Sequence, residues 1–191
     1  TYKEAPLNTP YGLSDKTVTS LFEDPSGIIW IGTDGGGINR FDSTNKTFKH
    51  YPSTYGNKII SLSQYSSNEL VCSVFSKGLF LFDKRNGSFR KLEIWNATES
   101  NRIFNSGYSV NIALLDKENL LLLADTPYFY NYKSKKVEIL PSINQKVRIS
   151  YPQKFHLNKK QTHLIAGNSI VEIDNREKTI HTLMTLPDSI R

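Results

Sequence analysis

From residue 18 onward, short β-branched or aromatic runs alternate with clusters of Gly, Pro, Asp and Asn. The first block runs through residues 18–24, breaks at Pro25-Ser26-Gly27, and resumes over 28–33. Asp34-Gly35-Gly36-Gly37 follows, then apolar residues within 38–42 and again within 47–51. Runs this short, bounded by turn formers, predict four strands joined by tight turns. Asp24-Pro25-Ser26-Gly27 reads as the first hairpin turn. Apolar spacing of three and four is not sustained anywhere, and the punctuation comes too often for long helices.

The unit recurs. Gly37, Phe41, Asp42 and Phe48 return 41 residues later as Gly78, Phe82, Asp83 and Phe89. A weaker third copy ends in Tyr128-Phe129-Tyr130-Asn131-Tyr132, and matching Tyr132 to Phe82 implies about nine inserted residues between Ile94 and Gly107. A fourth ends in Ile170-Val171-Glu172-Ile173-Asp174, with Ile180 in the place of Phe48 and Phe89. Leu186-Pro187-Asp188-Ser189-Ile190 resembles Leu13-Ser14-Asp15-Lys16-Thr17, as if a fifth copy began there. The expected fold is all-β: about four four-stranded antiparallel blades of a β-propeller, a fragment of a larger array. Blades are expected at about 13–56, 57–96, 107–144 and 147–185, with 186–191 starting a further repeat. One such sheet cannot bury both apolar faces alone, whereas stacked sheets cover each other.

Length supports this reading. A chain of 191 residues can bury about 70% of its unfolded surface. Its longest apolar runs, such as 120–124, fall far short of the roughly 20 residues a spanning helix needs. Cys72 is the sole cysteine, which excludes an internal disulfide and a Cys-based zinc cluster. Trp30 is expected to pack between adjacent blades. Gly32, Gly37 and Gly78 mark tight turns or close sheet approach.

The signature over 18–42 combines Asp24, Gly27, Trp30, Gly32-Thr33 and Gly37 with Asn39-Arg40-Phe41-Asp42. It resembles the two-component regulator propeller repeat, by residue identity over 13–56 and by spacing over 13–184. The resemblance implies the periplasmic sensor region of a Bacteroides-type hybrid two-component system. It implies a non-enzymatic, ligand-capturing head, often for polysaccharide breakdown products. The parent would be a dimeric inner-membrane protein whose membrane helix, histidine kinase, receiver and DNA-binding regions follow this segment. It departs from the signature where Val71-Cys72-Ser73-Val74 replaces Trp30-Ile31-Gly32-Thr33 and where Thr126-Pro127 replaces glycine.

Candidate chemistry is sparse. Asp34-Gly35-Gly36-Gly37 lacks the helix and Gly-Lys-Ser/Thr tail of a phosphate cradle and reads as a flexible turn. His50, His156, His163 and His181 show no metal spacing, and no Gly-x-Ser-x-Gly occurs. No catalytic residue, metal ligand or cofactor is expected. Eight basic residues against one acid between Asn131 and His163 read first as solvated turns and guarded sheet edges. Their functional reading is attraction of an anionic partner, either an acidic saccharide or nucleic acid. Tyr128, Tyr130 and Tyr132 are expected in the core rather than as a nucleic-acid platform, and no nucleic-acid partner is expected. The insertion carries Trp95, Asn96, Asn101 and Arg102, a set suited to stacking on and hydrogen-bonding a sugar. By propeller geometry it shares a rim with Asp34, Lys77 and Asp125. Trp95 could instead simply anchor the loop. The expected ligand is therefore an oligosaccharide, neutral or anionic. The alternatives are a carbohydrate-active propeller enzyme such as a lyase, and a protein-interaction scaffold.

Overall fold

Asx turns set the meander of each unit. Asp42 Oδ1 accepts hydrogen bonds from the amides of Thr44 and Asn45, at 2.9 and 3.1 Å. Asn131 does the same for Lys133 and Ser134, and Asp174 for Arg176 and Glu177. Asp83 accepts from the amide of Arg85. Four residues beyond each acceptor the chain turns through positive φ: Lys46 (57°), Gly87 (77°), Lys135 (53°) and Lys178 (54°). A short side chain that bonds its own backbone favours this turn. One device therefore recurs at 42, 83, 131 and 174.

The structure, a computed structural model, describes residues 3–4, 9–94, 98, 110–116, 118–124, 127–140, 153–157, 161–166, 169–174 and 176–185. Side chains are described for these except at 3–4, 153–157, 162 and 164–166. Every element it describes is a strand. A parallel pair, β1 (Lys3–Glu4) and β2 (Gly12–Leu13), precedes the sheets. The first sheet is β3 (Val18–Glu23), β4 (Ile29–Thr33), β5 (Ile38–Asp42) and β6 (Thr47–Tyr51). The second is β7 (Ile59–Gln64), β8 (Glu69–Val74), β9 (Gly78–Asp83) and β10 (Phe89–Lys91). The third is β11 (Asn111–Leu114), β12 (Asn119–Leu123), β13 (Pro127–Asn131) and β14 (Val137–Ile139). The fourth is β15 (Gln153–Leu157), β16 (Gln161–Ala166), β17 (Ser169–Asp174) and β18 (Thr179–Thr185). Each is an antiparallel sheet in sequence order, the all-β propeller-blade architecture expected from the repeats.

The register corrects one expectation. Phe41 pairs with Phe48, Phe82 with Phe89, and Ile173 with Ile180. In the third sheet the corresponding pair is Tyr130 and Val137, so Tyr130, not Tyr132, stands in the place of Phe82. Tyr132 follows the Asx residue and lies in the turn. Alternating tyrosines gave no phase, and Asn131 provides it.

Two compact units emerge, Thr1–Leu92 and Glu93–Arg191. In the first, Trp30, Ile38 and Tyr51 of one sheet pack on Leu70, Phe80 and Phe82 of the next. The Trp30 and Phe82 rings meet edge-on, with centroids 5.5 Å apart. Each such large side chain contributes roughly 1.5–3 kcal/mol through burial. A Cβ on Gly32 would come within 2.9 Å of Ile59, so this glycine lets the second sheet approach. Gly37 has φ of +80°, and a Cβ there would lie 2.4 Å from the Tyr51 carbonyl oxygen. In the second unit, Ala113, Leu121, Leu123 and Phe129 meet Val171, Ile173 and Ile180. Cys72 is buried, which pushes its thiol pKa far up and leaves it chemically inert.

Candidate functional site

Antiparallel meanders put alternate turns on opposite edges. In the first unit one edge carries the turn after β4 and the turn after β8. Asp34 sits on the first of these and Lys77 on the second. Asp34 pairs with Lys58 at 2.6 Å, both about two-fifths exposed. Lys58 Nζ also lies 4.9 Å from the centre of the Phe75 ring, and the Phe75 amide donates to the Lys58 carbonyl. Phe75 is 41% exposed and Tyr55 44%. The Tyr55 ring rests on Phe80 with centroids 4.5 Å apart. Gly56 (φ +136°), beside Tyr55, lies against Val74 and Lys77. This rim thus offers two exposed rings, one ion pair and the exposed Lys77.

The triple-glycine turn on this rim is held, not flexible as expected. The Asp34 amide donates to the Thr17 carbonyl, and Ser14 Oγ donates to the Gly36 carbonyl. A Cβ on Gly36 would fall 2.5 Å from the Ser14 Cβ. These contacts pin the loop so that Asp34 is presented in one place. Of the seven residues singled out in the sequence, the structure describes Asp34 and Lys77, brought to one edge. Trp95, Asn96, Asn101, Arg102 and Asp125 lie outside the described residues. Sequence reasoning missed Tyr55 and Phe75. Their signal was an aromatic directly beside a turn residue, Tyr55 before Gly56 and Phe75 before Ser76-Lys77-Gly78.

On the opposite edge a cavity of about 360 Å³ opens between the first two sheets. Asp24 forms its floor. Its carboxylate accepts from the Ser26 amide and hydroxyl, the Ile28 amide, Trp30 Nε1 (3.0 Å) and Lys84 Nζ (3.0 Å). Burial alone would raise its pKa. The bonds from Ser26, Trp30 and Lys84 outweigh that and hold the carboxyl well below the usual carboxylate range. Arg40, Lys49, Ser67 and Arg85 line the walls. Arg85 is committed to Asp83, which it grips through Nε and a terminal nitrogen.

The remaining candidates have local partners. His50 Nε2 lies 2.9 Å from the Gly12 carbonyl oxygen, His163 pairs with Glu172 at 3.1 Å, and His181 faces Thr179. Among the described residues no group of three His, Cys, Asp or Glu is placed to hold a metal. In the basic stretch, Lys133 pairs with Glu118 and Lys135 with Glu93. Tyr128 and Tyr130 are buried, and Tyr130 donates its hydroxyl to the Glu93 carbonyl at 3.0 Å.

These sheets have relatives in solved structures. The extracellular domain of B. thetaiotaomicron BT4673, described as a hybrid two component system, superposes with a TM-score of 0.73 at 19% identity. The match covers 97% of this chain and 26% of that one. An auxiliary nutrient binding protein from Bacteroides ovatus matches with a TM-score of 0.67 at 9% identity, over 90% of this chain and 48% of that one. A catalytically inactive virginiamycin B lyase from Staphylococcus aureus matches with a TM-score of 0.67 at 16% identity, over 95% and 62%. At such identities the likeness defines a fold, that of β-propeller blades. The chain spans about a quarter of the length of the BT4673 domain. No curated protein matches it by sequence. Residues 12–35, which span the first two strands of the first sheet, match the two component regulator propeller family.

Proposed function

We propose that this chain is a ligand-sensing propeller segment of an extracytoplasmic two-component sensor, and that its ligand is an oligosaccharide. The observation that carries the reading is the family repeat at 12–35, whose second strand ends in the turn that presents Asp34. The exposed rings of Tyr55 and Phe75 support it. Aromatic faces accept the apolar face of a sugar ring, while Asp34, Lys58 and Lys77 offer hydrogen bonds to its hydroxyls. Loops on a rigid sheet scaffold are the usual place for recognition. Trp95, Asn96, Asn101, Arg102 and Asp125 stay candidates for saccharide contact on their residue types alone. The segment acts by binding without turnover. In the parent, a periplasmic head of a dimeric inner-membrane sensor, occupancy would alter blade packing and pass the signal inward. No step in this reading needs a cofactor.

The test is a panel of neutral and acidic polysaccharide digests read by melting shift and by product analysis. A sensor is stabilised by a digest and leaves it unchanged. Tyr55→Ala and Phe75→Ala should each weaken the apparent affinity about 5- to 150-fold, since each removes about 1–3 kcal/mol of ring contact. Shortened or unsaturated products would establish the lyase alternative. Unmoved melting with every digest, together with a rise on adding a protein partner, would make it a scaffold.

A further inference from the structure

We propose that the cleft between the first two sheets binds the oxyanion group, carboxylate or sulfate, of a small ligand. It lies on the edge opposite Asp34 and Lys77 and does not depend on the saccharide-sensing reading.

Arg40 and Lys49 are direct cross-strand partners on β5 and β6, and they line the same cavity. Like charges placed directly opposite in a sheet are destabilising. Among the described residues neither of the two forms an ion pair. The Arg40 side chain makes no hydrogen bond or ion pair among the described residues and acts on Asp42 only through space. Among the described residues the Lys49 ammonium meets the Tyr51 ring alone, 5.1 Å to the centroid. Asp24, the one carboxylate in the cavity wall, already accepts five hydrogen bonds and pairs with Lys84. It therefore leaves Arg40 and Lys49 unanswered. The Ser67 hydroxyl adds a donor at the wall.

The second unit shows a charge-balanced version of the same position. There Phe129 and Glu138 are the cross-strand partners at the positions of Arg40 and Lys49. Lys178, from the neighbouring sheet, pairs with Glu138 at 2.8 Å and lies 5.3 Å from the centre of the Phe129 ring. The protein supplies both charges. In the first unit Lys49 replaces the acid, and Gly87 stands where Lys178 does, so a ligand must bring the negative charge. A cavity of about 360 Å³ has room for a carboxylate or sulfate with a sugar-sized body. A planar guanidinium beside an ammonium is a strong receptor for such oxyanions.

The test is calorimetric titration of the whole chain at low salt with sodium sulfate, sodium galacturonate and galactose. Saturable one-to-one binding of sulfate, galacturonate or both is expected, with galactose silent. Binding of galacturonate alone assigns a sugar acid, and binding of sulfate alone a free inorganic oxyanion. Arg40→Gln and Lys49→Gln should each weaken binding at least about tenfold, whereas Lys16→Gln, on an exposed turn, should not. Lys49→Glu, which restores the residue type of the second unit, should abolish binding while raising the melting temperature. The proposal is overturned if neither anion binds, if galactose binds equally, or if Arg40→Gln and Lys49→Glu bind as the parent chain does.

Discussion

Trp30 and Leu121 occupy one place in the repeat. Each stands on the second strand of its sheet, six residues after a turn residue, and faces the sheet that follows. The turn residue is Asp24 in one case and Leu115 in the other. Both close the hairpin alike, Asp24 donating its amide to the Ile28 carbonyl and Leu115 to that of Asn119. Asp24 then gathers Trp30 Nε1 and Lys84 into a polar latch across two sheets. Leu115 packs on Leu121 and its neighbours instead. The same backbone thus tolerates a charged lock or an apolar one. The apolar lock joins the core of the second unit, whereas the charged lock lines a cleft with Arg40 and Lys49 beside it.

The comparison breaks most sharply at Trp30. Trp30→Ala removes the ring that Tyr51 and Phe82 pack against and one of the five hydrogen bonds to Asp24. A loss of about 3–5 kcal/mol is expected in urea unfolding. Asp24→Ala should cost about 3 kcal/mol, because Lys84 is left without its buried partner. The double variant Asp24→Leu/Trp30→Leu imitates the second unit. It should be more stable than the sum of the single changes predicts, and simple additivity would mean that the two side chains are not coupled.

Acid sharpens the contrast further. The folded pKa of Asp24 lies below its unfolded value, so its contribution is complete above the ordinary carboxylate range, near pH 4. It is lost as pH falls from there through the depressed folded value. Unfolding free energy of the parent chain should therefore drop more steeply below about pH 4 than that of Asp24→Leu. Parallel acid limbs would remove the latch from the account. The smallest effect belongs to Lys178→Ala, which removes a half-exposed pair with Glu138. A change of about 0–1 kcal/mol is expected, and a larger loss would mean that this lysine seals the second unit more than its exposure suggests.

Much of this was legible in the residues. Asp24-Pro25-Ser26-Gly27 marked the first hairpin, and Gly37 marked a turn where a Cβ would strike the Tyr51 carbonyl. Trp30 was correctly placed between sheets. The phase of the third repeat was not legible from Tyr128, Tyr130 and Tyr132, because alternation by two leaves it open. Asn131, with Lys135 four residues on, carried the missing signal. The exposed rings of Tyr55 and Phe75 escaped because an aromatic flanking a strand looks like core until the neighbouring sheet edge is placed. Arg40 and Lys49 lie nine residues apart on separate strands, so no local pattern links them. The basic run after Asn131 is the more conspicuous pattern in the sequence, yet its Lys133 and Lys135 have acidic partners.

The contrast between a cationic cleft and its charge-balanced equivalent is most directly tested by nuclear magnetic resonance. Sulfate titrated into the labelled chain at constant ionic strength should shift the amides of Ser26 and Ser67 and the side-chain signals of Arg40 and Lys49. Phe129, Glu138 and Lys178 should stay in place. Equal shifts in both units, or none near Arg40, would contradict the account.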